Sequence, residues 1–216
     1  MNQQSKYDRQ QGLYRSEYEH DACGVGMVAN LSGAASHEIV TNGLTILKRL
    51  MHRGATGNDP KTGDGAGLLL KIPHGFFKKV LGGITSEFGI AMIFGGEGEE
   101  EKIENIVRTE GCEVLGWRDV PTNPDAIGHD ARAVMPKIRQ VFINSSDERR
   151  LYIIRRQIEK ATTNAYICSC SARTIVYKGL LLAPQVEKFY PDLTDPDFVS
   201  VLALVHQRYS TNTFPT

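Results

Sequence analysis

The sequence predicts an α+β layered domain, and three observations lead there. Apolar residues recur at three- and four-residue steps over residues 36–51, 97–109 and 148–160, which marks helices with one buried face. Separate short apolar runs, many of them β-branched or aromatic, read as strands. The two kinds of segment follow one another without the regular strand–helix alternation of a doubly wound parallel sheet. The length of 216 residues suits one large domain or two small ones, at about 100–200 residues per domain. The sequence carries no internal repeat, linker or low-complexity tract.

Taken in order, residues 1–20 carry few aliphatics and read as a loosely ordered or removable leader. Residues 23–31 alternate as a strand with small residues at its start. A helix follows with Ser36 as its N-cap, Ile39, Val40, Gly43, Leu44, Leu47, Leu50 and Met51 on its inner face, and Gly54 closing it after His52-Arg53. Residues 54–67 form a polar, glycine-rich loop. Leu68–Ile72 is a strand, Phe76–Leu81 a short helix after Pro73, and Phe88–Phe94 another strand. The charged helix Glu97–Thr109 turns Ile103, Ile106 and Val107 inward and ends at Gly111. Cys112–Trp117 and Pro136–Ile143 are strands, separated by a turn at Pro121–Pro124. Helix Glu148–Lys160 carries Leu151, Ile154 and Ile158 on one side. Ala165–Cys170 and Arg173–Tyr177 are two short β runs close enough for a hairpin. Ala183–Phe189 is a short helix ended by Pro191. In the last strand, Phe198–His206, both parities are apolar, so it is expected to be buried on both faces.

Composition removes several functions. Lys+Arg and Asp+Glu are 25 each, so nothing electrostatic recommends nucleic acid or an anionic membrane as a partner. Hydrophobic residues at 41% and charged residues at 23% are ordinary for a soluble globular chain. No apolar run approaches the ~20 residues that a membrane span needs. The polar leader lacks the apolar core of a secretory signal, and a cytoplasmic location is expected. Four cysteines, at 23, 112, 168 and 170, are too few and irregular for a disulfide framework. Cys168-Ser-Cys170 has no second Cys or His pair spaced to complete a metal site, so both are expected to be structural.

The candidate chemistry gathers at His20-Asp21-Ala22-Cys23-Gly24-Val25-Gly26. Gly24-Val25-Gly26-Met27-Val28-Ala29 fits the dinucleotide pattern G-x-G-x-x-A, but charged residues precede it and a turn follows it, where that motif needs a strand and a helix. Gly63-Asp64-Gly65-Ala66-Gly67 lacks the Gly-Lys-Ser/Thr ending of a P-loop and reads as a surface loop or the frame of a pocket. Cys23 paired with the distant His206 lacks the local pattern of papain-type proteases. From composition and spacing alone, a buried structural cysteine is the favoured reading of Cys23, ahead of a nucleophile freed by cleavage after Ala22.

Several blocks, in order, resemble one family. His20-Asp21-Ala22-Cys23-Gly24-Val25-Gly26, His52-Arg53-Gly54-Ala55, Lys61-Thr62-Gly63-Asp64-Gly65-Ala66-Gly67, Tyr166-Ile167-Cys168-Ser169, Arg173-Thr174-Ile175-Val176-Tyr177-Lys178-Gly179, Phe189-Tyr190-Pro191-Asp192-Leu193 and His206-Gln207-Arg208-Tyr209-Ser210-Thr211-Asn212-Thr213-Phe214-Pro215 resemble the start of the glutamate synthase large chain. The resemblance runs from about Tyr14 to the end of the chain.

In that family this region is a class II glutamine amidotransferase domain, and the resemblance implies a four-layer αββα N-terminal-nucleophile hydrolase sandwich. It implies that residues 1–22 are a propeptide and 23–216 a partial amidotransferase domain. It further implies that Cys23 is the catalytic nucleophile, that Arg208 holds the α-carboxylate of glutamine, and that Arg53 lies near the nucleophile and binds substrate. Glutamine would be hydrolysed to glutamate and ammonia, for reductive transfer to 2-oxoglutarate. The implied partners are glutamine, the remainder of the large chain and its small subunit. No cofactor or metal is expected in this segment; FMN and an iron–sulfur cluster belong to the whole enzyme.

The family's oxyanion-hole Asn-Gly pair lies beyond the Thr-Phe-Pro block, so the sandwich is expected to be incomplete at its C-terminus. Losing one oxyanion donor costs on the order of 10²–10³ in rate, so weak or no activity is expected of the chain alone. A sheet short of strands exposes an edge and an apolar face, which predicts poor solubility or association. Two other readings stand beside the glutaminase: a non-catalytic remnant that only binds a partner, and a hydrolase of the same fold acting on another amide.

Overall fold

The computed structural model describes residues 24–56, 58–83 and 86–207. The predicted helical periods become α1 (His37–Arg49), α3 (Glu100–Thr109) and α5 (Glu148–Ala161). Shorter helices are α2 (His74–Val80), α4 (His129–Ala133) and α6 (Val186–Phe189). The strands are β1 (Val25–Ala29), β2 (Ala66–Lys71), β3 (Gly89–Gly95), β4 (Val114–Asp119), β5 (Ile138–Ile143), β6 (Ala165–Ser171), β7 (Thr174–Gly179) and β8 (Leu202–Gln207). They form two antiparallel sheets, ordered β1-β8-β2-β7 and β4-β5-β3-β6. The α+β sandwich is therefore present, and it agrees with the N-terminal-nucleophile arrangement expected from the resemblance.

The second sheet is covered on both faces. Alternate residues of β3 and β5 serve two cores. Ala91, Ile93, Val141 and Ile143 pack with Ile103 and Val107 of α3 and with Leu151, Ile154 and Ile158 of α5. Ile90, Met92 and Phe142 face the first sheet, where they meet Phe77, Leu68, Leu70 and Tyr177. Each such aliphatic or aromatic side chain contributes about 1.5–3 kcal/mol by leaving water. Helix α5 starts where Asp147 accepts hydrogen bonds from the amides of Arg149 and Arg150. Gly111, at φ +72°, ends the α3 segment as expected.

The same inner face of the first sheet also carries α1. A side chain at Gly43 would stand 2.6 Å from Cβ of Ala203, and one at Gly26 would run into Cγ2 of Ile46. The helix lies directly on β1 and β8 because both glycines lack a Cβ. The outer face of this sheet carries exposed Val25, Met27 and Leu204, and no helix among the described residues covers it.

Four expectations need correction. Ala165–Cys170 and Arg173–Tyr177 do not form a hairpin: β6 is an edge of the second sheet and β7 an edge of the first. The chain crosses between sheets at Ala172, with Ser171 Oγ accepting from the amides of Arg173 and Thr174. The last strand begins at Leu202 rather than Phe198, because Ser200 Oγ takes the amides of Lys71 and Leu202 and bends the chain. It is also not buried on both faces, since Ala203, Val205 and Gln207 point inward while Leu204 and His206 are exposed. Finally, α1 ends at Arg49 and a 3₁₀ turn, Met51–Arg53, follows it; Gly54 closes that turn with φ −91°. Ser36 holds the N-cap position without a side-chain cap, its backbone pairing with Ser200.

Candidate active site

Three blocks singled out in the sequence converge at the start of β1. The β1/β8 register sets Val25 opposite His206, and beyond that pair the Gln207 amide donates to the Gly24 carbonyl at 2.7 Å. The approach is too close for any side chain: a Cβ on Gly24 would lie 2.5 Å from the Gln207 carbonyl oxygen and 3.1 Å from Cβ of Arg53. Arg53 is thus brought beside the residue that follows Cys23. Cys23 and Arg208 themselves lie outside the described residues, as do residues 1–22. In the sequence each stands two residues from the Val25↔His206 pair, one on either strand.

The loop between the 3₁₀ turn and β2 completes the surround. Hydrogen bonds hold it at several points, Gly63 and Gly65 are buried, and Gly65 and Gly67 line a cavity, which fits the frame of a pocket, while Ala55, Thr56, Asn58, Pro60 and Lys61 stay at the surface. Thr56 bridges Gly63, and the Asp64 amide donates to the Ala55 carbonyl at 3.1 Å. Asp59 accepts from the Lys61 amide at 2.9 Å, from Thr62 Oγ1 at 2.7 Å and from the Asp130 amide at 3.2 Å. Those bonds, led by the one from Lys61, hold the Asp59 carboxyl below its ordinary range. The Lys61 carbonyl in turn accepts from Gln185 Nε2 at 2.7 Å.

Sequence reasoning quoted Gln207 but gave it no role. Its side chain is fully buried, with Nε2 donating to the Gly65 carbonyl at 3.3 Å. Gly54 packs straight onto the amide, since a Cβ there would collide with Nε2. The available signal was parity: Ala203, Val205 and Gln207 share one face of β8, so a polar residue ends the inward row. His206, on the opposite face, lines a cavity of about 370 Å³ with Val25, Gly65, Gly67, Lys178 and Leu204. That volume falls within the ~300–1,000 Å³ of small-molecule pockets.

Cys168 and Cys170, both half-buried, are poor thiolates. Cys168 Sγ lies 3.7 Å from the Val176 carbonyl and Cys170 Sγ 3.5 Å from that of Leu151. Burial pushes both thiols up to about 12. Among the described residues no three His, Cys, Asp or Glu side chains are grouped to hold a metal ion, and no helix is long and apolar enough to cross a membrane.

Comparison with known proteins points the same way. The family model described as "Glutamine amidotransferases class-II" matches residues 23–216, so the match begins at Cys23. The chain is 48% identical over 228 residues to the glutamate synthase [NADPH] large chain of Bacillus subtilis (strain 168), covering 95% of this chain and 15% of that protein. It is 45% identical to the corresponding large chain of Azospirillum brasilense, covering 94% of this chain and 15% of that protein. It is 42% identical to ferredoxin-dependent glutamate synthase 1 of Arabidopsis thaliana, with 91% of this chain and 14% of that protein covered. The chain thus spans about 15% of the length of these relatives. The ordered blocks, the two-sheet sandwich and a match over nearly all of its length agree: the chain belongs to the class-II glutamine amidotransferases.

Proposed function

We propose that the chain is the glutaminase domain of a glutamate synthase, with Cys23 as nucleophile once the Ala22–Cys23 bond is cut. The observation that carries this reading is the convergence of Gly24, Arg53 and Gln207, which brings together the neighbours of Cys23 and Arg208 from three distant blocks. A free N-terminal cysteine has a thiol of ordinary pKa about 8.5 and an amine of about 7.7–8.0 on one residue. The neutral amine takes the thiol proton, directly or through water. The thiolate attacks the side-chain carbonyl carbon of glutamine. The tetrahedral adduct then collapses with loss of ammonia, its leaving nitrogen protonated by the amine. Water cleaves the resulting γ-glutamyl thioester, giving glutamate and the free thiol. In an uncut chain the Cys23 nitrogen is an amide and not basic, so removal of residues 1–22 switches the site on.

Arg208 suits the α-carboxylate of glutamine, because a guanidinium offers two parallel donors to it. Arg53, half-buried beside Gly24, is the second arginine that this reading assigns to the substrate. Ammonia would pass to 2-oxoglutarate in the rest of a glutamate synthase large chain, with the small subunit as partner and the cytoplasm as location. FMN and an iron–sulfur cluster are the groups that the resemblance assigns to the whole enzyme. Cys168 and Cys170 do not fit as cluster ligands, since each sulfur is turned to a backbone carbonyl. No step of the glutaminase chemistry needs either group.

The test is N-terminal sequencing and intact mass before and after exposure to a diazoketone analogue of glutamine. A mature start at Cys23 and a single adduct on that residue are expected. An adduct on another residue, or a mature N-terminus at any residue but Cys23, would overturn the reading.

A further inference from the structure

The three long helices each bury one face, and their wet faces differ. On α1 and α3 every exposed side chain is polar or charged, with acid and base on both helices. On α5, Arg149, Tyr152, Ile153, Arg156 and Lys160 recur at three- and four-residue steps, opposite the buried row of Leu151, Ile154 and Ile158. Tyr152 is 61% exposed and Ile153 39%. No acidic side chain of α5 shares this face. Glu148 is spent on the crossing between the sheets, where Oε1 accepts from Ser171 Oγ at 2.9 Å and from the Ala172 amide at 2.7 Å. Glu159 serves two cations, Arg155 and Arg156. Arg149 and Lys160, with Arg150 at the margin of the stripe, make no side-chain hydrogen bond or ion pair among the described residues.

We infer that this face of α5 is a docking surface for a partner protein, which it engages through an acidic segment carrying an apolar side chain. The inference is independent of the proposed function. From Arg149 to Lys160 the stripe runs about 16 Å along the helix axis, at roughly 1.5 Å per residue. Tyr152 and Ile153 stand inside it with cations on either side along the axis. Tyrosine and arginine dominate binding hot spots, so the exposed pair serves as the anchor. The unneutralised cations around it select carboxylates and reject basic partners. A duplex nucleic acid asks for a basic surface wider than one helix, whereas this chain has Lys+Arg and Asp+Glu at 25 each. A membrane surface asks for a broad apolar face, and α5 offers it a tyrosine and an isoleucine only. Charge and width together favour an acidic protein segment.

The test uses the full chain and measures binding to a labelled helical peptide of about twelve residues, matched to the length of the stripe, with glutamates on one face around a leucine pair. The comparison probes are the same peptide with glutamine for glutamate, and phosphatidylcholine vesicles containing phosphatidylserine. The acidic peptide is expected to bind, more weakly as salt rises, and the glutamine peptide to bind about tenfold less tightly. Arg149→Glu combined with Lys160→Glu, and separately Tyr152→Ala, are each expected to weaken the acidic peptide by about tenfold. Arg108→Glu, an equal change of charge on the exposed face of neighbouring α3, is expected to leave binding unchanged. All of these side chains are exposed, so the midpoint of thermal unfolding should stay close to the parent's. No binding of the acidic peptide, or an equal loss in Arg108→Glu, would overturn the inference. Tighter binding to the vesicles than to the peptide would assign the face to a membrane and overturn it as well.

Discussion

Arg118 and Asp192 are joined by both ends of the guanidinium: Nη1 donates to Oδ2 at 2.8 Å and Nη2 to Oδ1 at 2.7 Å. The two side chains are only 11% and 4% exposed, and 74 residues separate them in the sequence. Tyr177 donates to the same Oδ2 at 2.9 Å, and Gln140 bonds both Arg118 and Tyr177. The cluster thus clips β4 and β5 of one sheet to β7 of the other. Burial works against the Arg118 charge, but the bonds and field of Asp192 prevail and raise its pKa. Arg118→Met leaves a buried carboxylate held by the tyrosine alone, a loss of about 3–5 kcal/mol in urea unfolding. Arg118→Met with Asp192→Leu is expected to cost less than the sum of the single changes, and strict additivity would show the pair to be idle.

Gly43 gives a second test, because two effects oppose each other there. Alanine improves an α-helix by roughly 0.5–1 kcal/mol over glycine. Its Cβ, however, would sit 2.6 Å from Cβ of Ala203, a backbone-anchored atom that cannot rotate away. Moving α1 off the sheet costs about 1–3 kcal/mol, so Gly43→Ala is expected to be net destabilising. Gly43→Ala combined with Ala203→Gly should recover most of that loss, as read from the midpoint of thermal unfolding.

The same contact shows why part of the fold was legible in the sequence. Helical periods located α1, α3 and α5, since one face of each is buried against a sheet and the other is wet. The crossing from β6 in one sheet to β7 in the other was not legible. Two short β runs two residues apart look alike whether they pair or cross between sheets, and the crossing depends on Ser171 and Glu148 holding the turn at Ala172. Exposure of Leu204 was hidden because its hydrophobicity matches that of inward Val205. At the site, glycines and arginines announced themselves through the family blocks. Gln207 did not, as only the register of β8 shows that it points inward.

Cys168 and Cys170 provide a pH-dependent prediction. Burial raises both thiols from 9.0 to about 12 in the folded chain, while nearby Arg155 pulls each partway back. In the unfolded chain they ionise near 9. Their contribution to stability is therefore complete below pH 9 and is lost as pH climbs from 9 toward 12. Cys168→Ala with Cys170→Ala is expected to flatten the alkaline fall in unfolding free energy. Iodoacetamide at pH 8 should label neither residue until denaturant is added. Labelling of both in the native chain would contradict the burial.

Asp59 works in the opposite direction and tests the loop that frames the site. The Lys61 amide, Thr62 Oγ1 and the Asp130 amide favour its charged form, so its folded pKa lies below the ordinary 3.8. Its contribution is present above pH 3.8 and disappears as pH falls through the lowered folded value. Asp59→Asn cannot titrate and can accept through one oxygen alone, so the acid limb of stability against pH should become shallower. Asp59→Ala frees the amides of Lys61 and Asp130, and faster hydrogen exchange is expected at both. The loop carries Gly65, the partner of Gln207, at its far end. Loosening it at Asp59 should therefore slow diazoketone trapping at Cys23 with little change in global unfolding. Faster exchange at Lys61 with undiminished trapping would show that the loop and the nucleophile are independent.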